Sequence, residues 1–154
     1  MSDCTPLKFP VAQIRDNRGL SASLTIPASS LFIEPLPEAV HAGDVAAALD
    51  FSIGGSSILL EARIAGAWTV ACSRCLTLHD APYEAQFDET FPLTDETIDV
   101  SGPLREAALL EIPQRSLCRP DCPIPWGNDG REPGQPAPEP TSSPFDALKK
   151  FKEN

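Results

Sequence analysis

Four thiols carry the chemistry that can be read from this chain. Cys72 and Cys75 form a C-x2-C pair in "WTVACSRCLTLHD", and Cys118 and Cys122 form a C-x3-C pair in "RSLCRPDCPIPWGNDG". Two short-spaced cysteine pairs, each on a tight turn, are the usual donor set of a tetrahedral zinc site, with sulfur about 2.3 Å from the metal. The 42 residues between the pairs (76–117) exceed a compact finger, so zinc here would be a clip between distant segments. Arg74 and Arg119 stand beside the pairs and could offset the negative charge of four thiolates. The competing reading is that the cysteines are small buried hydrophobes. A redox C-x-x-C commonly opens a helix, whose N-terminus lowers the thiol pKa; this one follows a strand pattern, so redox catalysis is the weaker reading. Cys4 leaves the total at five, an odd number that fits a closed disulfide framework poorly.

The elements that must hold these thiols follow from the apolar pattern. Residues 5 to 40 are broken by prolines at 6, 10, 27, 35 and 37, which leaves room for a strand at 21–26 but no long helix. "SLFI" at 30–33 reads as a second strand or an irregular apolar anchor. "DVAAALDFSI" alternates strictly, with Val45, Ala47, Leu49, Phe51 and Ile53 on one face. Gly54-Gly55 supplies a turn, and "SILLEARIAGAWTVAC" is a long strand in which Gly66 is expected to mark a bulge or bend. The CSRC lies in the next reversal. "TLHDAPYEAQFDETF" returns as a strand, with Pro82 confining its start to an edge or bulge. A short helix is expected over 103–112, with Pro103 in its first turn, Pro113 stopping it, and Leu104, Ala107, Ala108 and Ile112 facing the sheet.

The expected fold is therefore α+β: an antiparallel β-meander or partial barrel with one short packed helix. It divides into an α+β domain with the candidate zinc clip (1–130), a Pro-rich linker (131–142) and a C-terminal helical segment (143–154). In that last segment Ser143 and Pro144 suit a helix start, and Phe145, Leu148 and Phe151 recur at three-residue spacing. They form a candidate partner-binding stripe flanked by Lys149, Lys150 and Lys152.

Composition narrows the function classes. The net charge of −10 opposes a tight grip on naked RNA, which needs clustered Lys and Arg to neutralise phosphates. An acidic chain more naturally meets a basic protein. The run Asp88, Glu89, Asp95, Glu96, Asp99 is an ordinary solvated face or, as the minority reading, a docking strip. Met1–Pro10 shows no basic region followed by an apolar run, and no stretch has the ~20 apolar residues of a membrane span. A cytoplasmic location is the expectation. His79 reads as an ordinary strand residue. The sequence contains no glycine-rich phosphate loop, HExxH or Gly-x-Ser-x-Gly elbow, and no enzyme and no small-molecule substrate are expected.

In this order, "CSRCL", "FDETF", "LREAALLEIPQRSLCRPDC" and a terminal "SPFDALKKFK" resemble the YceD family, the large ribosomal RNA subunit accumulation proteins. The resemblance spans roughly 44–122 and 143–152. It implies a bacterial, non-enzymatic factor that supports large-subunit (23S) rRNA accumulation by binding other components: a ribosomal protein, an assembly factor or an rRNA-processing component. Many members continue past the Cys122 position with a further CxxC and glycine. Here Trp126 and Asp129 stand in those two cysteine places, which leaves one four-cysteine site with Asp129 as a lesser oxygen donor. The rival classes are a CxxC thiol–disulfide oxidoreductase and a direct RNA-binding module.

Overall fold

The structure, a computed structural model, describes residues 7–123. The expected linker, the C-terminal helical segment with Phe145, Leu148 and Phe151, and also Cys4, Trp126 and Asp129 lie outside the described residues.

One curled antiparallel sheet dominates. Strand β2 (Leu20–Ile26) pairs with β4 (Val45–Gly54), β4 with β5 (Ser57–Ala71), and β5 with β6 (Leu78–Pro92). The short β3 (Val40–Ala42) prolongs β4 along the same edge of β5. The β4 alternation is as the pattern predicts: Val45, Ala47, Leu49 and Phe51 are buried, and Ala46, Ala48, Asp50 and Ser52 are exposed. Two-residue periodicity puts one residue type on each face of a sheet with one covered side. The turn into β5 is closed by the Gly54–Ser57 pair, with Gly55 in the left-handed region at φ +62°.

The β5–β6 hairpin runs for fifteen uninterrupted pairs, from Ser57↔Pro92 to Ala71↔Leu78. Gly66 lies inside this ladder, opposite Tyr83, so it is not a bulge in β5 as expected from sequence. The irregularity sits on the other neighbour. Between Ala42↔Trp68 and Ala46↔Ala65, three residues (43–45) face two (66 and 67). Gly66 serves another purpose. A Cβ there would come within 2.7 Å of the Tyr83 hydroxyl and 2.9 Å of its ring carbon Cζ, so the tyrosine ring lies across the bare backbone. Pro82 stands in β6, which among the described residues pairs with β5 alone, as an edge position requires.

The inner face is closed by short elements. Helix α3 (Ser101–Leu110) buries Leu104 and Ala108, with Ala107 and Ile112 packed beside them. Its start lies two residues earlier than Pro103 suggests, because Asp99 accepts a hydrogen bond from the Ser101 amide at 3.0 Å. The Ser101 hydroxyl, which donates to the same carboxylate, and then this amide bond hold the Asp99 carboxyl below its ordinary pKa. The segment 30–33 is the anchor of the two alternatives. Ser30 and Leu31 end the one-turn helix α2 (Ala28–Leu31), Leu31 is buried, and Phe32 packs on Trp68 at 5.1 Å between ring centroids. Besides β3, three elements were not expected from the sequence. They are the helix α1 (Val11–Asp16), which buries Val11 and Ile14, and the two-stranded pairing of β1 (Lys8–Pro10) with β7 (Thr97–Asp99).

Candidate metal centre

The four cysteines meet at one end of the long hairpin. Cys72 directly follows β5, and residues 72–77 turn the chain into β6. The turn closes on itself: the Cys72 amide donates to the Thr77 carbonyl at 2.9 Å, and the Leu76 amide to the Cys72 carbonyl at 3.0 Å. The Arg74 amide points at the Cys72 sulfur from 3.4 Å. The second pair lies in the loop after α3, where the Cys122 amide donates to the Arg119 carbonyl at 3.1 Å and so folds 119–122 into a turn.

The two turns are stitched together by groups that the cysteine spacing does not announce. The Ser73 amide donates to the Ser116 carbonyl at 2.8 Å, and the Ser116 amide returns a bond to the Ser73 hydroxyl at 3.2 Å. His79 Nε2 lies 2.6 Å from the Ser116 hydroxyl, so this histidine seats the loop rather than joining the sulfurs. The Arg74 guanidinium donates to the Cys122 carbonyl, bridging one turn to the other. Arg119 is paired with Asp121 at 3.6 Å; the expected place beside the thiolates is taken by Arg74 alone, and through a carbonyl.

All four sulfurs lie within 4.8 Å of one another. The shortest contacts run between the pairs, Cys72 to Cys122 at 3.7 Å and Cys75 to Cys118 at 3.6 Å. These are far too long for the ~2.05 Å of a disulfide bond. They match the ~3.8 Å sulfur–sulfur edge of a regular tetrahedron whose centre is ~2.3 Å from each corner, the geometry of a four-thiolate zinc site. Cys72 and Cys122 are buried, while Cys75 and Cys118 are exposed. The environment splits the thiols. Backbone amides, those of Cys75 and Cys118 first, bring Cys72 down to about 5. Burial, and then the adjoining sulfurs, push Cys122 up to about 12. The Thr77 hydroxyl lowers Cys75, and the neighbouring Cys75 sulfur raises Cys118. A metal taken up here would meet the Cys72 sulfur as a ready anionic ligand and would displace the proton that burial keeps on Cys122. The C-x-x-C lies on a strand-to-strand turn and not at a helix start, so the lowering of Cys72 comes from the amides of the two turns and not from a helix N-terminus.

Leu76 occupies the left-handed region at φ +61° and is 75% exposed. A glycine adopts that backbone without the Cβ clash that costs other residues about 1–2 kcal/mol. Leu76→Gly should therefore leave the thiol cluster intact and raise the melting temperature by a few degrees. An unchanged or lower value by calorimetry would show that the leucine side chain contributes packing that its exposure does not reveal.

Fold and site together define an antiparallel α+β domain with a candidate four-thiolate centre clipping its post-helix loop to its longest hairpin. Residues 80–152 match the family model described as large ribosomal RNA subunit accumulation protein YceD, the family the sequence motifs resemble. The matched span contains α3, the Cys118–Cys122 pair and the terminal "SPFDALKKFK", whereas "CSRCL" precedes it. The chain is also similar to a protein of Mycobacterium tuberculosis and one of Mycobacterium bovis, both named as uncharacterized proteins. Each is 32% identical over 101 residues, covering 52% of this chain and 49% of the relative. The chain thus spans about half the length of the curated relatives it matches. No solved structure matches it. Among the described residues, no helix is long and apolar enough to cross a membrane.

Proposed function

We propose that this chain is a non-enzymatic factor that supports accumulation of large-subunit ribosomal RNA by binding protein components of the assembly or processing machinery. The observation that carries the reading is the match of residues 80–152 to the YceD family model. The four-thiol cluster supports a structural role for zinc within it. Cys72, Cys75, Cys118 and Cys122 would hold the ion, which would fix the loop after α3 against the hairpin. The surplus of acidic side chains favours a basic protein partner over bare RNA. Phe145, Leu148 and Phe151, outside the described residues, belong to this reading as a second contact with a partner.

The test is genetic. Deleting the gene in its own host should lower the ratio of large- to small-subunit rRNA, and expression of the intact chain should restore it. An unchanged ratio in the deletion strain ends the proposal.

A further inference from the structure

Along the edge of β6 that has no strand partner among the described residues runs a shallow groove. Its floor is Ala85 and Phe87 of β6 and Ala107 and Leu110 of α3. Leu110 is 84% exposed, the most exposed large apolar side chain among the described residues. Asp88, Glu89, Glu106 and Glu111 line the same groove, and no Lys or Arg does. None of these four carboxylates takes part in an ion pair among the described residues, where the salt bridges are Lys8–Asp99, Arg105–Glu34 and Arg119–Asp121. Glu111 is felt inside the fold as well, since after burial it is the second cause raising the Tyr83 phenol.

From this surface we infer a docking site for an extended basic protein segment, one that places an apolar side chain between α3 and β6 and its flanking lysines or arginines against the four carboxylates. The inference rests on the protein-binding reading above and gives it a place. Three features converge on this occupant. The groove holds about 210 Å³, below the roughly 300–1,000 Å³ of small-molecule sites and suited to a single side chain. Its rim is of one sign, which repels RNA phosphates and attracts cationic side chains. Its wall is an edge strand: among the described residues β6 pairs only with β5, which leaves backbone N–H and C=O groups on its other side for strand addition. The charges on β6 and Pro82 guard that edge against copies of the same acidic strand, while a basic strand meets no such repulsion.

The test uses the full chain, isotopically labelled, with the capped peptide Lys-Arg-Leu-Val-Lys-Arg as probe. Amide shifts that saturate and cluster at residues 85–89 and 106–111 are expected. Replacing Leu-Val in the probe by Ser-Gly, or making Leu110→Lys, should weaken binding by roughly tenfold or more, the effect of losing one buried apolar anchor. Glu106→Gln combined with Glu111→Gln should weaken it at low salt and flatten its salt dependence. Leu110 is solvent-facing, so Leu110→Lys should retain the wild-type spectrum elsewhere. The proposal is overturned if the shifts do not saturate, if they centre on Asp50 and Glu61 across the sheet, if the Ser-Gly peptide binds equally well, or if an oligouridylate perturbs the same residues. The rRNA ratio of the deletion strain makes no reference to this groove, so the two ideas can fail separately.

Discussion

Cys72→Ser is expected to strip the protein of about one zinc ion per chain and lower its melting temperature by roughly 10 °C or more, the largest effect of any single polar substitution. Cys72 sits at the end of β5 with its amide bonded to Thr77 and its sulfur facing Cys122 across 3.7 Å. A serine in its place offers a harder, weaker ligand in a buried position and leaves three thiols around a centre built for four. Without the ion, the Ser73–Ser116 bonds, the His79 contact, the Arg74 bridge and weak sulfur–sulfur contacts are what hold residues 113–122 on the hairpin among the described residues. Chelation of the wild-type protein should reproduce the shift, and added zinc should reverse it. Elemental analysis of protein purified without chelator decides the matter: a metal-free protein with the same melting curve as Cys72→Ser would show that the cysteines are packing residues.

The second large effect belongs to the core. Trp68 is fully buried between Phe32, at 5.1 Å between centroids, and Tyr83, stacked at 5.7 Å. Trp68→Ala removes the largest fully buried side chain of the domain and opens a cavity that a β-sheet backbone cannot collapse to fill. The cost should be about 3–5 kcal/mol, enough to lower the melting temperature by roughly 10–20 °C. Trp68→Phe separates volume from polarity. The indole Nε1 has no hydrogen-bond partner among the described residues, and an unmet buried donor costs about 1–3 kcal/mol. Phenylalanine gives up volume but removes that donor, so this variant should lose less than about half of what alanine loses. Equal losses in denaturant titration would mean that the indole edge is satisfied in solution.

Much of this fold was open to reading because its long strands carry their own periodicity. Alternation in "DVAAALDFSI" named the buried face of β4 residue by residue, and the two glycines after it marked the turn. A helix was visible from its prolines and from Leu104 and Ala108 at i, i+4 spacing, although the prolines placed it at 103–112 and it runs over 101–110. What escaped were elements of three to six residues whose reason to exist is far away in the chain. β1 is a strand because Lys8 to Pro10 face Thr97 to Asp99, a pairing that no local window contains. α1 needs Ile14 in the core under β4 and is too short to be stable as an isolated helix. Gly66 was misread because glycine in a strand signals either a bulge or the close approach of another group, and only the position of Tyr83 distinguishes them. At the thiol cluster the ligands were legible from spacing, whereas Ser73, Ser116 and His79, which seat one turn on the other, carry no such mark.

The long hairpin also sets an order of events. β4, β5 and β6 are neighbours in sequence as well as in space, joined by a two-residue turn and a six-residue one (72–77), so their closure entropy is small and they can assemble early. The second cysteine pair must cross from the far side of α3 and joins only when that framework stands. Opening should run in reverse. In native-state hydrogen exchange, the amides of Ser73 and Ser116 should exchange through a local release of the loop, well before those in the middle of β5, and bound zinc should slow the first group alone.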